Sequence, residues 1–192
     1  YRNTGVALQA SGVSDVRVVN NTFYAPAGDN IRIESSSSEV EILNNILWVE
    51  EGYNIFVADD SWDGFYSDYN NLYSSGTGKL VHYAVDFEDI LDWQADVARF
   101  DLHSIGHTVV DPEWARPHFV ARGQNDFQLF PMLASLRFTS PTIDSGDPRT
   151  DQSIPDFYNN LLLNPGFESG LTGWTVNAEA STGIDGPDAF EG

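Results

Sequence analysis

The sequence predicts an all-β solenoid, short parallel strands wound into stacked coils, and two in-phase repeats predict it. An Asn-Asn pair followed by a variable residue and an apolar one recurs as Asn20-Asn21-Thr22-Phe23, Asn44-Asn45-Ile46-Leu47 and Asn70-Asn71-Leu72-Tyr73. The second Asn of the pair recurs after 24 and then 26 residues. Short alternating strands repeat in the same phase: Val6-Ala7-Leu8, Ile31-Arg32-Ile33 and Ile55-Phe56-Val57 start 25 and 24 residues apart. A strand period in the twenties means coils stacked at the ordinary inter-strand spacing of about 4.8 Å. A β-sandwich is the alternative, and it does not explain a fixed period.

Each element of the coil has a physical reason. Gly5, Asn30 and Asn54 precede the alternating strands and mark turns. Val16-Arg17-Val18 and Val40-Glu41-Ile42 precede the first two Asn pairs, so each period holds about three strands. Alternation sends Val16, Val18, Val40 and Ile42 inward and Arg17 and Glu41 outward. The recurring Asn tolerates a left-handed bend, and its amide can bond to the Asn one coil away, satisfying turn amides that would otherwise be buried unpaired. Tyr1 opens in mid-pattern, which leads us to expect further coils upstream.

From Gly76 to Asp147 the period dissolves. A short helix is expected over Asp86–Gln94, with Asp86 as N-cap and Phe87, Ile90 and Leu91 towards one side. It is followed by His103-Ser104, Val109-Val110-Asp111-Pro112, Asn125–Leu129 and Ser140–Gly146. A helix and irregular strands of this kind suit a cap, because a solenoid end exposes a sheet edge and an apolar core. The expected division is coils over 1–75, a cap over 76–148, a linker over 149–159 and the incomplete start of a second module over 160–192.

The coils of residues 1–73 resemble the right-handed parallel β-helix repeat family, the pectate-lyase-like solenoids. The run of Trp93-Gln94, His103-Ser104, Asp111-Pro112, Asp126-Phe127 and Ser140-Pro141 resembles the C-terminal region of many bacterial, notably planctomycete-type, members. Asn160 to Trp174 is similar to the opening of jelly-roll carbohydrate-binding or galactose-binding-like modules. That resemblance implies a β-sandwich too long to close within the 192 residues given. Together the resemblances imply a secreted or cell-surface polysaccharide-binding or polysaccharide-processing protein; if it is an enzyme, it is a polysaccharide lyase or a glycoside hydrolase. The alternative is a non-catalytic surface, adhesive or filament protein, assembled by strand addition between subunits.

Composition narrows the partners. Nine Lys and Arg face 29 Asp and Glu, a net charge of −20 that repels nucleic acid and anionic lipid. It suits an extracellular protein that binds Ca²⁺, and equally a merely solvated acidic surface. The absence of cysteine excludes disulfides and thiolate chemistry. No apolar run approaches the roughly 18 residues of a membrane span.

The richest cluster of candidate residues is Asp59–Asp68. Asp59, Asp60 and Asp63 are candidate acid–base carboxylates, and Trp62, Tyr66 and Asp68 candidate sugar contacts, since aromatic faces stack on sugar rings and carboxylates accept from hydroxyls. The alternative is a solvated acidic turn with Trp62 and Phe65 packed on the solenoid. In the sugar reading, an Asp of this cluster lines a groove and Trp62 or Tyr66 faces solvent. Lys79, His82 and Tyr83 are the one compact group of the types a lyase base needs, with a structural role at the solenoid end as the alternative. His103 and His107 have a metal-ligand spacing that suits a helix, not the loop expected there. Asp144, Asp147 and Asp151 surround Gly146 and are candidate oxygen ligands for calcium. The jelly-roll resemblance implies the same role for Glu168.

Overall fold

The computed structural model describes residues 4–129, 140–143 and 145–147. Within them the strands follow in threes. The first coil is β1 (Leu8–Ser11), β2 (Ser14–Val19) and β3 (Thr22–Ala25); the second is β4 (Ile31–Glu34), β5 (Ser38–Leu43) and β6 (Ile46–Val49). The third is β7 (Tyr53–Val57), β8 (Tyr66–Asp68) and β9 (Asn71–Ser74). Equivalent strands pair in parallel, β1-β4-β7, β2-β5-β8 and β3-β6-β9, so three sheets wrap one core. The described residues are mostly β, 42% strand and 8% helix, in a solenoid of about three turns.

Alternation fills the core as expected. Val18, Val40 and Ile42 point inward from one sheet, Ile31, Ile33, Ile55 and Val57 from a second, and Leu47 and Leu72 from the third; all are buried. The first strand lies two residues later than the spacing suggested: Leu8, not Val6, sits opposite Ile31. A shift of two leaves the inward set on the same face, so the core tolerates it. The turn ahead of these strands carries a column that the spacing search passed over. A Cβ on Gly28 would lie 2.2 Å from the Gly5 carbonyl oxygen, and one on Gly52 would lie 2.3 Å from that of Gly28. Only glycine lets these turns stack so closely.

The two jobs expected of the Asn pair fall on different residues. Asn20 and Asn44 take the left-handed conformation, as does Tyr69 in the third coil. Asn21, Asn45 and Asn70 form the ladder. Asn45 Oδ1 accepts from the backbone N–H of Asn21 (3.0 Å), and Asn70 Oδ1 from that of Asn45 (2.9 Å). The stacking partner of Asn45 is therefore Asn70 and not Asn71, which instead pairs with Ile46 inside β9.

Beyond residue 75, β10 (Lys79–Tyr83) adds to β7 in parallel, and β11 (Val85–Phe87) folds back against it. The coil-to-cap transition thus falls inside the 76–148 segment. The helix α1 (Ile90–Val97) starts later than expected, with Asp89 as N-cap accepting from the Leu91 N–H (2.8 Å). Asp86 and Phe87 are claimed instead by β11, which buries Phe87 in the core. β12 (Ile105–Gly106) pairs with β9, and β13 (Phe119–Ala121) and β14 (Asp126–Leu129) form a hairpin. Among the described residues no helix is long and apolar enough to cross a membrane.

The cap ends the ladder chemically. Ser104 Oγ accepts from the Asn70 N–H (2.7 Å) and donates to Asp101 Oδ1 (2.6 Å). The Asp101 carboxylate, fully buried, also accepts from Asn70 Nδ2 (3.2 Å) and Trp93 Nε1 (2.9 Å). Burial pushes its pKa up, against those hydrogen bonds. Gln94 Nε2 donates to the carbonyls of Asp101 and Ser104. Trp93-Gln94 and Ser104 are therefore parts of one plug. Asn45→Ala and Asn70→Ala are expected to cost about 2–4 kcal/mol each, because each leaves several buried groups unpaired, and exposed Asn21→Ala under about 1 kcal/mol. Urea unfolding of the three variants measures this.

Candidate functional site

Each sheet has one face in the core and one outside, so a site needs an outer face left open. The outer face of the four-stranded sheet is covered. Tyr24, Trp48 and Tyr73 form a buried aromatic column there, and Phe119 and Phe127 of the β13–β14 hairpin pack on it. Arg122, also from the cap, lies 4.1 Å from the Trp48 ring centre. The three-stranded sheet carries Arg17 ion-paired with Glu41 across adjacent coils.

The five-stranded sheet keeps an open outer face. Its register sets Gln9, Arg32, Phe56, His82 and Asp86 in one row across the strands. The row is stacked. The Arg32 guanidinium lies 3.8 Å from the Phe56 ring centre, and His82 stacks on Phe56 at 4.5 Å and 6°. Arg32 and His82 come from the strands on either side, so both faces of Phe56 are covered and its edge points outward.

Asp86 gathers the polar end of the row. It accepts from Lys79 Nζ (2.7 Å) and Tyr53 Oη (3.0 Å), and His82 Nδ1 lies 2.6 Å from it. Burial opposes its charge, but these three bonds hold its pKa down to about 2. Burial and the bond to Asp86 raise the pKa of Tyr53. An ionised carboxylate only accepts, so Nδ1 is the donor of this pair and Nε2 is the ring nitrogen that Asp86 does not engage. Lys79 and His82 of the sequence-defined trio are thus together. Tyr83 is not with them; it faces inward, 4.8 Å from Trp62 and 5.6 Å from Phe100. Tyr53 and Asp86, which sequence reasoning missed, take its place.

Beside this row lies an open groove of about 560 Å³ lined by Glu34, Ser35, Phe56, Ala58, Asp59, Asp60 and His82. Glu34 is held by Arg32 (2.8 Å) and by Gln9, and these bonds lower its pKa. Asp59 and Asp60 are exposed at the edge. They line the groove with Phe56, and neither Trp62 nor Tyr66 lines it with them. Trp62 packs against the core, and its buried Nε1 has no acceptor among the described residues. Tyr66 is 38% exposed but belongs to β8, on another sheet. Asp63 is exposed on the turn before β8 and does not line the groove. Asp68 is buried, accepts from the N–H groups of Tyr69 (2.9 Å) and His103 (2.8 Å), and pairs with His103 Nδ1 (2.7 Å). That set of contacts ties β8 to the cap.

His103 stacks on Tyr69, while His107 lies beside Tyr73, so the two imidazoles serve separate neighbours. His107 lines a smaller depression of about 320 Å³ with Tyr73, Glu88 and Glu113. Burial and the hydrogen bond to Glu113 push the Tyr73 phenol up to about 12. Of the calcium candidates, Asp144, Asp151 and Glu168 lie outside the described residues. Asp147 donates its backbone N–H to Asn44 Oδ1 (2.8 Å). Among the described residues no three His, Asp or Glu side chains converge as a metal site would need.

The fold and this groove define the class: a parallel β-solenoid with an acidic groove on the outer face of one sheet. No family model matches the chain, and no curated protein or solved structure matches it. Because its folded pKa is depressed, Asp86 contributes stability that is fully present above the ordinary Asp value of about 4. That contribution is lost as pH falls through the folded pKa of about 2. Thermal melts across that window are expected to show a steeper loss for wild type than for Asp86→Asn.

Proposed function

We propose that the chain is part of an extracellular polysaccharide-binding protein whose binding face is the outer surface of the five-stranded sheet. One observation carries this reading: exposed carboxylates of Asp59 and Asp60 sit beside the ring edges of Phe56 and His82 in an open groove built on paired strands. Carboxylates accept hydrogen bonds from sugar hydroxyls; Asp59 and Asp60 lie in the turn that follows β7, where Ser61 Oγ donates to Asp60 Oδ1 (2.8 Å). The segment from residue 160 onward, similar to the opening of carbohydrate-binding modules, would add a second sugar contact in the full protein. His82, oriented by Asp86, is the group through which a processing reaction would move a proton.

A structural or adhesive role is the second reading. The covered faces of Phe56 favour it, because the groove then offers no flat ring for a sugar to stack upon. A glycan-binding screen by affinity electrophoresis separates the two. Retardation by at least one soluble polysaccharide, weakened about tenfold in an Asp59→Ala/Asp60→Ala variant that melts like wild type, supports the first. Retardation by none of the polysaccharides supports the second.

A further inference from the structure

The groove also carries a charge pattern that chooses among glycans, an inference that rests on reading it as a glycan site. The cations of this face are committed. Arg32 bonds Asp29 and Glu34, each at 2.8 Å, and its guanidinium lies over Phe56. Lys79 bonds Asp86 at 2.7 Å and lies 3.5 Å from Glu88. His82 Nδ1 is turned to the same carboxylate at 2.6 Å. Asp59 and Asp60 have no ion pair among the described residues, and Asp60 acts on Glu34 as a like charge.

We propose that this groove binds amino-substituted, cationic glycans and excludes uronates. A sugar ammonium entering beside Asp59 and Asp60 supplies the positive charge that the groove lacks, and it relieves the repulsion between Asp60 and Glu34. A uronate carboxylate entering there meets carboxylates whose neighbouring cations are already paired, so its desolvation is uncompensated. The long-range field of a chain with net charge −20 adds to both effects at low salt.

The test is isothermal titration of the full chain at mildly acidic pH, where sugar amines are protonated. The probes are a glucosamine oligomer, the N-acetylglucosamine oligomer of equal length and an oligogalacturonate. The amine form is expected to bind about tenfold more tightly than the acetylated form, a gap that narrows as salt rises, and the uronate not to bind. Asp59→Asn/Asp60→Asn should bring the amine form down to the acetylated one. Asp92→Asn/Asp96→Asn, which removes exposed charge on α1, should leave the gap intact. If that control narrows the gap as much as the groove variant does, net charge alone attracts the amine and the groove is not selective. Equal binding of amine and acetylated forms, or uronate binding with or without added Ca²⁺, overturns the charge inference while leaving the glycan reading in place. Binding of none of the three, with no retardation in the polysaccharide screen, removes both.

Discussion

Every coil of this solenoid must turn its backbone at the same corner, and the amides of that turn face the interior. The Asn ladder is the constraint on which the rest depends. Asn70 takes the N–H of Asn45 on its oxygen and donates its own amide to the Ile42 carbonyl, so one side chain serves two coils. This chemistry repeats without limit along the axis but cannot end by itself, since the last Asn presents an N–H with no successor. Ser104 and Asp101 provide the ending. The core turns polar where they meet it: Ser67, which occupies the place of Ile42 in the next coil, is completely buried and its carbonyl accepts the Asp101 N–H (2.7 Å).

The same register that builds the core writes the outer surface. Parallel in-register pairing makes columns of whatever the sequence places at outward positions, on all three sheets at once. One column is aromatic, Tyr24-Trp48-Tyr73, and is therefore covered by the cap hairpin, because an apolar stripe of that size is unstable in water. Another mixes Gln9, Arg32, Phe56, His82 and Asp86, whose charges tolerate solvent, and it stays open. The groove thus lies on a face that the cap hairpin does not cover.

The period, the inward residues of the coils and the existence of a cap were legible because each is a pattern along the chain. Errors arose where space and sequence separate. The third coil places Tyr69 where the other coils have the first Asn of the pair, so the visible Asn-Asn pair there is offset by one residue from the ladder. Grouping Lys79, His82 and Tyr83 ignored strand parity, which sends neighbours 82 and 83 to opposite faces. Tyr53 and Asp86 joined Lys79 and His82 through a parallel neighbour and an antiparallel return, neither visible as a local motif. Asp68 looked like part of an acidic loop, yet it begins the corner and is buried by contacts with a cap residue 35 positions away.

Charge connects the fold to the surface. With nine basic residues in the whole chain, the position of each cation matters more than in a balanced protein. Among the described residues the cations hold segments together. Arg17 ties β2 to β5, Lys79 ties β10 to β11, and Arg122 ties the cap hairpin to Glu50. Arg32 pairs within its own coil but also stacks on Phe56 of the next. On the five-stranded sheet Arg32 and Lys79 are used in this way, while Asp59 and Asp60 have no ion pair among the described residues. The acidity of the chain is therefore also a local property of the groove, set by the same ion pairs that stiffen the coils.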